Sequence, residues 1–217
     1  MRQVAEGVWH WTARHPEWHP GVFGAEVGSY ALRAGDELLL VDPLVPDDAR
    51  QAVDDLAAGA RAVHVLITIG YHARSAEALA RRYGCRIQGP PRVASRLEDR
   101  SLLEVLEPGV DGPAGVRAFA IGRPVRGERP LWLPSHRAIA FGDAVVTTPD
   151  GDLRVWAQER LDERRARWYR ERFNPTLAPL AALEPRRVLT THGAPVLAGG
   201  AAALRGALAS EPWYSRG

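Results

Sequence analysis

Lysine is missing altogether, so the 28 basic residues are all arginine. Without a lysine amine, Schiff-base chemistry and a Walker-type phosphate loop are excluded. Cysteine occurs once, at Cys85, which excludes a disulfide framework and a multi-cysteine zinc site within the chain. A reducing compartment is expected. Cys85 follows a helical stretch and reads as a small packed hydrophobe. Long apolar runs are missing too. The longest, Leu38-Leu39-Leu40-Val41, is far short of a membrane span, and Met1 to Gly7 has no apolar stretch of signal-peptide length. The expectation is a cytoplasmic protein without membrane contact. A large charge of one sign is also absent: 28 basic against 26 acidic residues leave a net charge of +2. The basic isoelectric point follows from a flat titration curve where lysine would otherwise act. No nucleic-acid partner is expected, because no dense basic patch carries interleaved aromatics apart from one helix over 158–173.

What is present is ordinary for a globular chain: 217 residues, 46% hydrophobic and 25% charged. At this length roughly 70% of the unfolded surface can be buried. No low-complexity linker interrupts it, so one domain over residues 1–217 is expected. The first third reads as β-structure, with strands at Val8 to Trp11, Glu26 to Leu32 and Leu38 to Val41. A Pro-rich loop with His15, Trp18 and His19 lies between the first two. Asp47 is placed as the cap of a helix running to about Ala58. Ala62 to Thr68 is apolar on both faces, as in a covered central strand. Ser75 to Tyr83 reads as a helix stopped by Gly84, and the next strand starts at Cys85. Short strands follow at Val116 to Ile121, Leu131 to Leu133, Ala138 to Phe141, Ala144 to Thr147 and Asp152 to Trp156. A charged helix is expected over 158–173 and a shorter one over Leu177 to Leu183. The last strand is Arg187 to Thr190, and the closing helix Ala201 to Ala209. The charged helix is read as a solvated face with i,i+4 ion pairs. Its aromatic neighbours Trp156, Trp168, Tyr169 and Phe173 leave two alternatives, packing on a second copy of the chain as a homodimer or lining a cavity.

Four segments carry a resemblance when taken in order. Leu39-Leu40-Val41-Asp42-Pro43 ends a strand on an aspartate. Leu66-Ile67-Thr68-Ile69-Gly70-Tyr71-His72-Ala73-Arg74 passes from a strand through a polar turn into a helix. Leu131 to Asp143 is strand–turn–strand ending in Gly142-Asp143. Val188-Leu189-Thr190-Thr191-His192-Gly193 ends a late strand on a histidine. Together they resemble the metallo-β-lactamase superfamily. The resemblance implies an α/β fold, a four-layer αββα sandwich, and a hydrolase ancestry with a dinuclear metal site. It also implies that Asp143 is the bridging ligand, that His192 completes one metal's ligand set, and that Asp42 supports the site from behind.

The departures concern chemistry. The family's first segment is Thr-His-x-His-x-Asp-His, and Ile69, Tyr71, Ala73 and Arg74 fall on its ligand positions. Zinc needs about four ligands from His, Asp and Cys, and none of these four residues suits it. The segment Gly122 to Glu128 holds no histidine where the family has one. His72 falls between ligand positions and is expected to point away. The leading expectation is therefore a relative of the hydrolases that has lost most of its metal ligands and carries no cofactor. In that reading an arginine (Arg74, Arg123 or Arg126) pairs with Asp143 in the metal's place. His192, Asp143 and His72 are the candidate catalytic groups, and Tyr71, Arg74 and Arg123 the candidate substrate-binding groups. The alternatives are a module that binds a small anion in the old cavity, a metal-independent acid–base enzyme with His192 polarised by Asp143, and a hydrolase with a displaced single site. In that last case His72, Asp143 and His192 would hold zinc or iron. The His15–His19 loop is read either as a packed surface loop or as a source of substrate contacts or metal ligands at the cavity mouth.

Overall fold

A computed structural model describes residues 1–18, 24–123, 125 and 127–214. Its β-strands are β1 Arg2–Ala5, β2 Val8–Arg14, β3 Glu26–Ala34, β4 Glu37–Val41, β5 Ala62–Leu66, β6 Ile87–Gly89, β7 Leu103–Val105, β8 Arg117–Ala118, β9 Leu131–Leu133, β10 Ala138–Phe141, β11 Val145–Thr147, β12 Leu153–Val155 and β13 Arg187–Thr190. The helices are α1 Asp47–Ala58, α2 Ala76–Tyr83, α3 Glu163–Trp168, α4 Asn174–Ala181 and α5 Gly200–Ala209. Among the described residues, β1 to β7 form one sheet in sequence order, β13-β10-β9-β8 a second, and β11-β12 a hairpin pair. The first sheet is antiparallel up to β4 and parallel from β4 onward. In the second, β13 runs parallel to β10, and the remaining pairs are antiparallel.

The layering follows from side-chain alternation. Along a strand successive side chains point to opposite faces. In β4, Leu39 and Val41 enter a core between the two sheets, while Leu38 and Leu40 enter another against α1 and α2. In β10, Ala138 and Ala140 face the core between the sheets, while Ile139 and Phe141 face the side of α4 and α5. The central core thus joins Tyr30, Leu32 and Leu66 to Leu131, Leu133 and Leu189. The outer cores add Val53 and Leu79 on one side and Phe173, Leu177 and Leu204 on the other. Helices, sheet, sheet and helices stack in the order expected of four layers.

Several boundaries move. Pro46, not Asp47, stands at the cap position of α1, and Asp47 is its first residue. The charged helix starts only at Glu163, where the Asp162 side chain accepts the Arg165 N–H. It then runs through a π-turn, Tyr169–Phe173, directly into α4. The edge strands β1 and β7 add to the expected set. No helix among the described residues is long and apolar enough to cross a membrane.

Candidate metal centre

The parallel strand pairs end in the same region, which is where open α/β sheets place their ligands. Asp42 follows β4, the Thr68–Arg74 segment follows β5, Asp143 follows β10, and Thr191 and His192 follow β13. Asp42 is 2% exposed and has a positive φ of 46°, a conformation costly for a residue with a Cβ. Its carboxylate accepts hydrogen bonds from the Thr68 N–H at 2.8 Å, the Thr68 hydroxyl at 2.5 Å and the Thr191 hydroxyl at 3.4 Å. These bonds hold the strained backbone in place. Asp42 Oδ2 also lies 3.0 Å from His72 Nδ1.

His72 is the main correction to the sequence reading. A short 3-10 turn, Gly70–His72, rotates it inward, and it is 4% exposed. Its Nε2 lies 3.4 Å from Asp143 Oδ1, and His192 Nε2 lies 3.4 Å from the same oxygen. The candidate ligand atoms of His72, Asp143 and His192 all fall within 4.8 Å of one another, the one such group of three among the described residues. Of the residues on the family's ligand positions, Tyr71 is 64% exposed, and Ala73 is buried among apolar neighbours.

Hydrogen bonding and metal binding set different spacings. A charge-assisted N–H···O⁻ bond is about 2.7–2.9 Å long. Ion-to-ligand bonds of about 2.0–2.1 Å, by contrast, give tetrahedral edges of about 3.3–3.4 Å. The two 3.4 Å edges meeting at one Asp143 oxygen are longer than such a hydrogen bond and close to a tetrahedral edge, and the imidazole–imidazole edge lies within 4.8 Å. Carboxylate support behind an imidazole, as Asp42 gives His72, is the arrangement that fixes a metal-binding ring and its tautomer. The residues present therefore fit one divalent ion.

Charge in the site is finely divided. Burial and the Arg74 guanidinium push the His72 imidazolium down, but Asp42 and Asp143 outweigh them and leave it raised. Burial holds His192 below its ordinary value despite Asp143. Asp143 is opposed by burial, yet the two imidazoles hold its carboxyl well below the usual range. Among the described residues, the expected arginine–Asp143 pair does not form. Arg74, at a positive φ of 32°, donates from Nη1 to the carbonyls of Asp42 at 3.1 Å and Gly28 at 3.5 Å. Its buried Nε has no hydrogen-bond partner among the described residues. Arg123 is exposed and lines neither cavity described below. Arg126 and His19 lie outside the described residues.

Glu128 carries a role that sequence reading missed. It is fully buried, and its carboxylate accepts the N–H groups of Gly142 at 2.9 Å, Asp143 at 2.8 Å and Ala144 at 2.8 Å. Burial and the Asp143 charge push its carboxyl up to about 8 against the pull of these donors. Gly142 is required beside it, since a Cβ there would lie 2.7 Å from Thr68 Oγ1.

Two cavities meet at Asp143 and Tyr71. One of about 370 Å³ is lined by His15, Trp18, Val27, Arg74 and the triad. The other, of about 610 Å³, is lined also by Arg92, Arg96, Val125, Trp156 and Gln158.

No family model matches the chain, and no curated protein matches it. Solved structures do. A metallo-β-lactamase from Erythrobacter litoralis with β-mercaptoethanol in its active site superposes with a TM-score of 0.64 at 16% identity, covering 95% of this chain and 93% of the other. DIM-1 metallo-β-lactamase exposed to ceftazidime gives 0.63 at 15%, with the same coverage. This chain has the metallo-β-lactamase fold. The chemotaxis sensor ODP, solved as a peroxy diiron species, shares it with a TM-score of 0.61 at 11% identity over 94% of this chain and 92% of that one. At these identities the likeness is one of fold, and the metallo-β-lactamase fold alone does not fix the chemistry.

Proposed function

We propose that this chain is a metal-dependent hydrolase of small anionic substrates that holds one divalent ion, zinc or iron, through His72, Asp143 and His192. The supporting observation is the pair of 3.4 Å approaches from two imidazole nitrogens to one carboxylate oxygen. His72, which the segment comparison put outside the ligand set, supplies the third group. Three protein ligands with an open position are the usual composition of a catalytic zinc site. Such an ion supplies Lewis acidity and a hydrolytic water made acidic near neutral pH. The chain's own residues do the rest. Asp42 fixes the ring of His72, and Glu128 fixes the backbone that carries Asp143. Arg74 lines the smaller cavity, its cation placed to neutralise charge on a bound substrate. Trp18 and Val27 form part of the wall that limits water around it.

One observation favours a second reading. The buried Arg74 cation beside the triad acts against protonation of both imidazoles, though the carboxylates leave His72 raised, and it opposes a further positive charge. In that reading the cavity binds an anion without metal chemistry. Metal analysis separates the two. Protein purified, reconstituted with zinc and desalted is expected to retain about one ion per chain, with loss of the ion in His72→Ala and Asp143→Asn. A wild-type protein that retains neither zinc nor iron, or variants that retain as much as wild type, would overturn the single-ion assignment.

A further inference from the structure

The larger cavity has a cationic wall that the triad does not use. The 3-10 segment Pro91–Arg96 carries Arg92 and Arg96 along one side of it, while Val125 and Trp156 lie in its apolar lining. The segment is packed close against the site's own loops. A Cβ on Gly70 would lie 3.1 Å from the Arg92 carbonyl oxygen, and one on Gly127 would lie 3.4 Å from Arg92 Cδ. Both positions thus lack a side chain where Arg92 approaches. Arg96 is partly committed: its guanidinium lies 4.3 Å from the Tyr71 ring centroid and 3.7 Å from Glu17 Oε2. Arg92 has no carboxylate within 4 Å among the described residues. The one carboxylate in the lining, Asp143, is taken by two imidazoles.

We propose that Arg92 and Arg96 form an oxyanion subsite that binds the carboxylate or phosphate end of a small molecule reaching into the site beside His72, Asp143 and His192. The guanidinium fork matches either group in bidentate fashion. The cavity's volume, about 610 Å³, lies in the usual range for small-molecule sites. The apolar residues select for a flat or aliphatic body attached to the oxyanion. Placing the reacting end at the triad rests on the proposed function; the subsite itself does not.

The test is calorimetric titration of phenyl phosphate and of benzoate into the full chain, once after treatment with a chelator and once after zinc reconstitution. Saturable binding of at least one compound is expected in both preparations, and the one that binds more tightly identifies the oxyanion. Arg92→Ala is expected to weaken that binding roughly tenfold or more, as loss of a charged hydrogen-bond donor does, while zinc content stays at the wild-type level. Binding that survives chelation and falls in Arg92→Ala supports the subsite even where no metal is retained. Absence of saturable binding for both compounds, or wild-type binding by Arg92→Ala, overturns it and leaves the metal assignment untouched.

Discussion

A carboxylate that gathers three backbone N–H groups fixes the position of whatever lies between them. Glu128 does this for Gly142, Asp143 and Ala144, so the Asp143 oxygen that faces both imidazoles owes its place to a residue outside the triad. Glu128→Gln keeps the shape but sets an NH2 group against one of the donors. The expected cost is about 1–3 kcal/mol of stability for the unmatched buried group and a loss of metal affinity of roughly 10–100-fold. Denaturant unfolding and chelator competition measure the two, and wild-type values in both would remove Glu128 from the site's support. His10 gives a separate prediction. Burial, with smaller contributions from Arg2 and the N-terminus, lowers its imidazole to about 4; it stacks on Tyr30 at 4.8 Å, and its Nε2 has no partner among the described residues. Between pH 4 and the ordinary value of 6.5 the unfolded chain binds the proton and the folded chain does not. Stability contributed by neutral His10 is therefore complete above the ordinary value and is lost as pH falls towards 4. His10→Phe keeps the stacking and is expected to flatten stability against pH in that window; an unchanged slope would assign the acid sensitivity elsewhere.

At the scale of elements, the strongly patterned segments were legible and the turns were not. Leu38 to Val41 and Ala138 to Phe141 declared their strands by composition, and helix α1 ends at Ala58 as its apolar spacing predicts. Strands β1 and β7 escaped notice because Arg2–Ala5 and Leu103–Val105 are short edge strands with little apolar alternation. Asp42, Asp143 and His192 were legible because each follows a strand in a recognisable order. His72 was named but pointed the wrong way, since a single 3-10 turn decides its direction and no periodicity reports one turn. Glu128 gave no signal, being one acidic residue in an irregular loop whose partners are all backbone. The turn after β13 shows how little freedom such loops retain. Gly193 has φ +82°, and a Cβ on it would lie 2.1 Å from the Thr147 carbonyl oxygen, next to the bond from the Thr147 N–H to the His192 carbonyl. Gly193→Ala is expected to cost at least about 1–3 kcal/mol from backbone conformation alone and to displace His192. A variant with the wild-type unfolding midpoint and metal content would show that the turn relaxes freely.

Across the whole molecule, the candidate metal centre is a seam between the two sheets. His72 and its partner Asp42 belong to the first sheet's strand ends, and Asp143 and His192 to the second's. The sheets are also joined by the apolar core between them and by hydrogen bonds that cross it, such as Tyr30 O–H to the Thr190 carbonyl and Gly28 N–H to the Thr191 carbonyl. An ion bound there would bind only the docked arrangement, so its free energy adds directly to folding. Free zinc at 100 times its dissociation constant should contribute about 2.7 kcal/mol. For a chain of 217 residues that corresponds to a rise in unfolding midpoint of roughly 5–10 °C. Leu133 supplies the control. It is fully buried in the central core, and it pairs with Ala138 at the end of the sheet away from the ligands. Leu133→Ala should cost about 2–5 kcal/mol with and without zinc, leaving the zinc-induced rise unchanged, because distant independent sites add. Asp143→Asn should remove the rise, because it takes away the carboxylate shared by the two imidazoles. Were the rise to survive in Asp143→Asn, the ion would be binding elsewhere, and the seam would owe its cohesion to the apolar core and the hydrogen bonds across it.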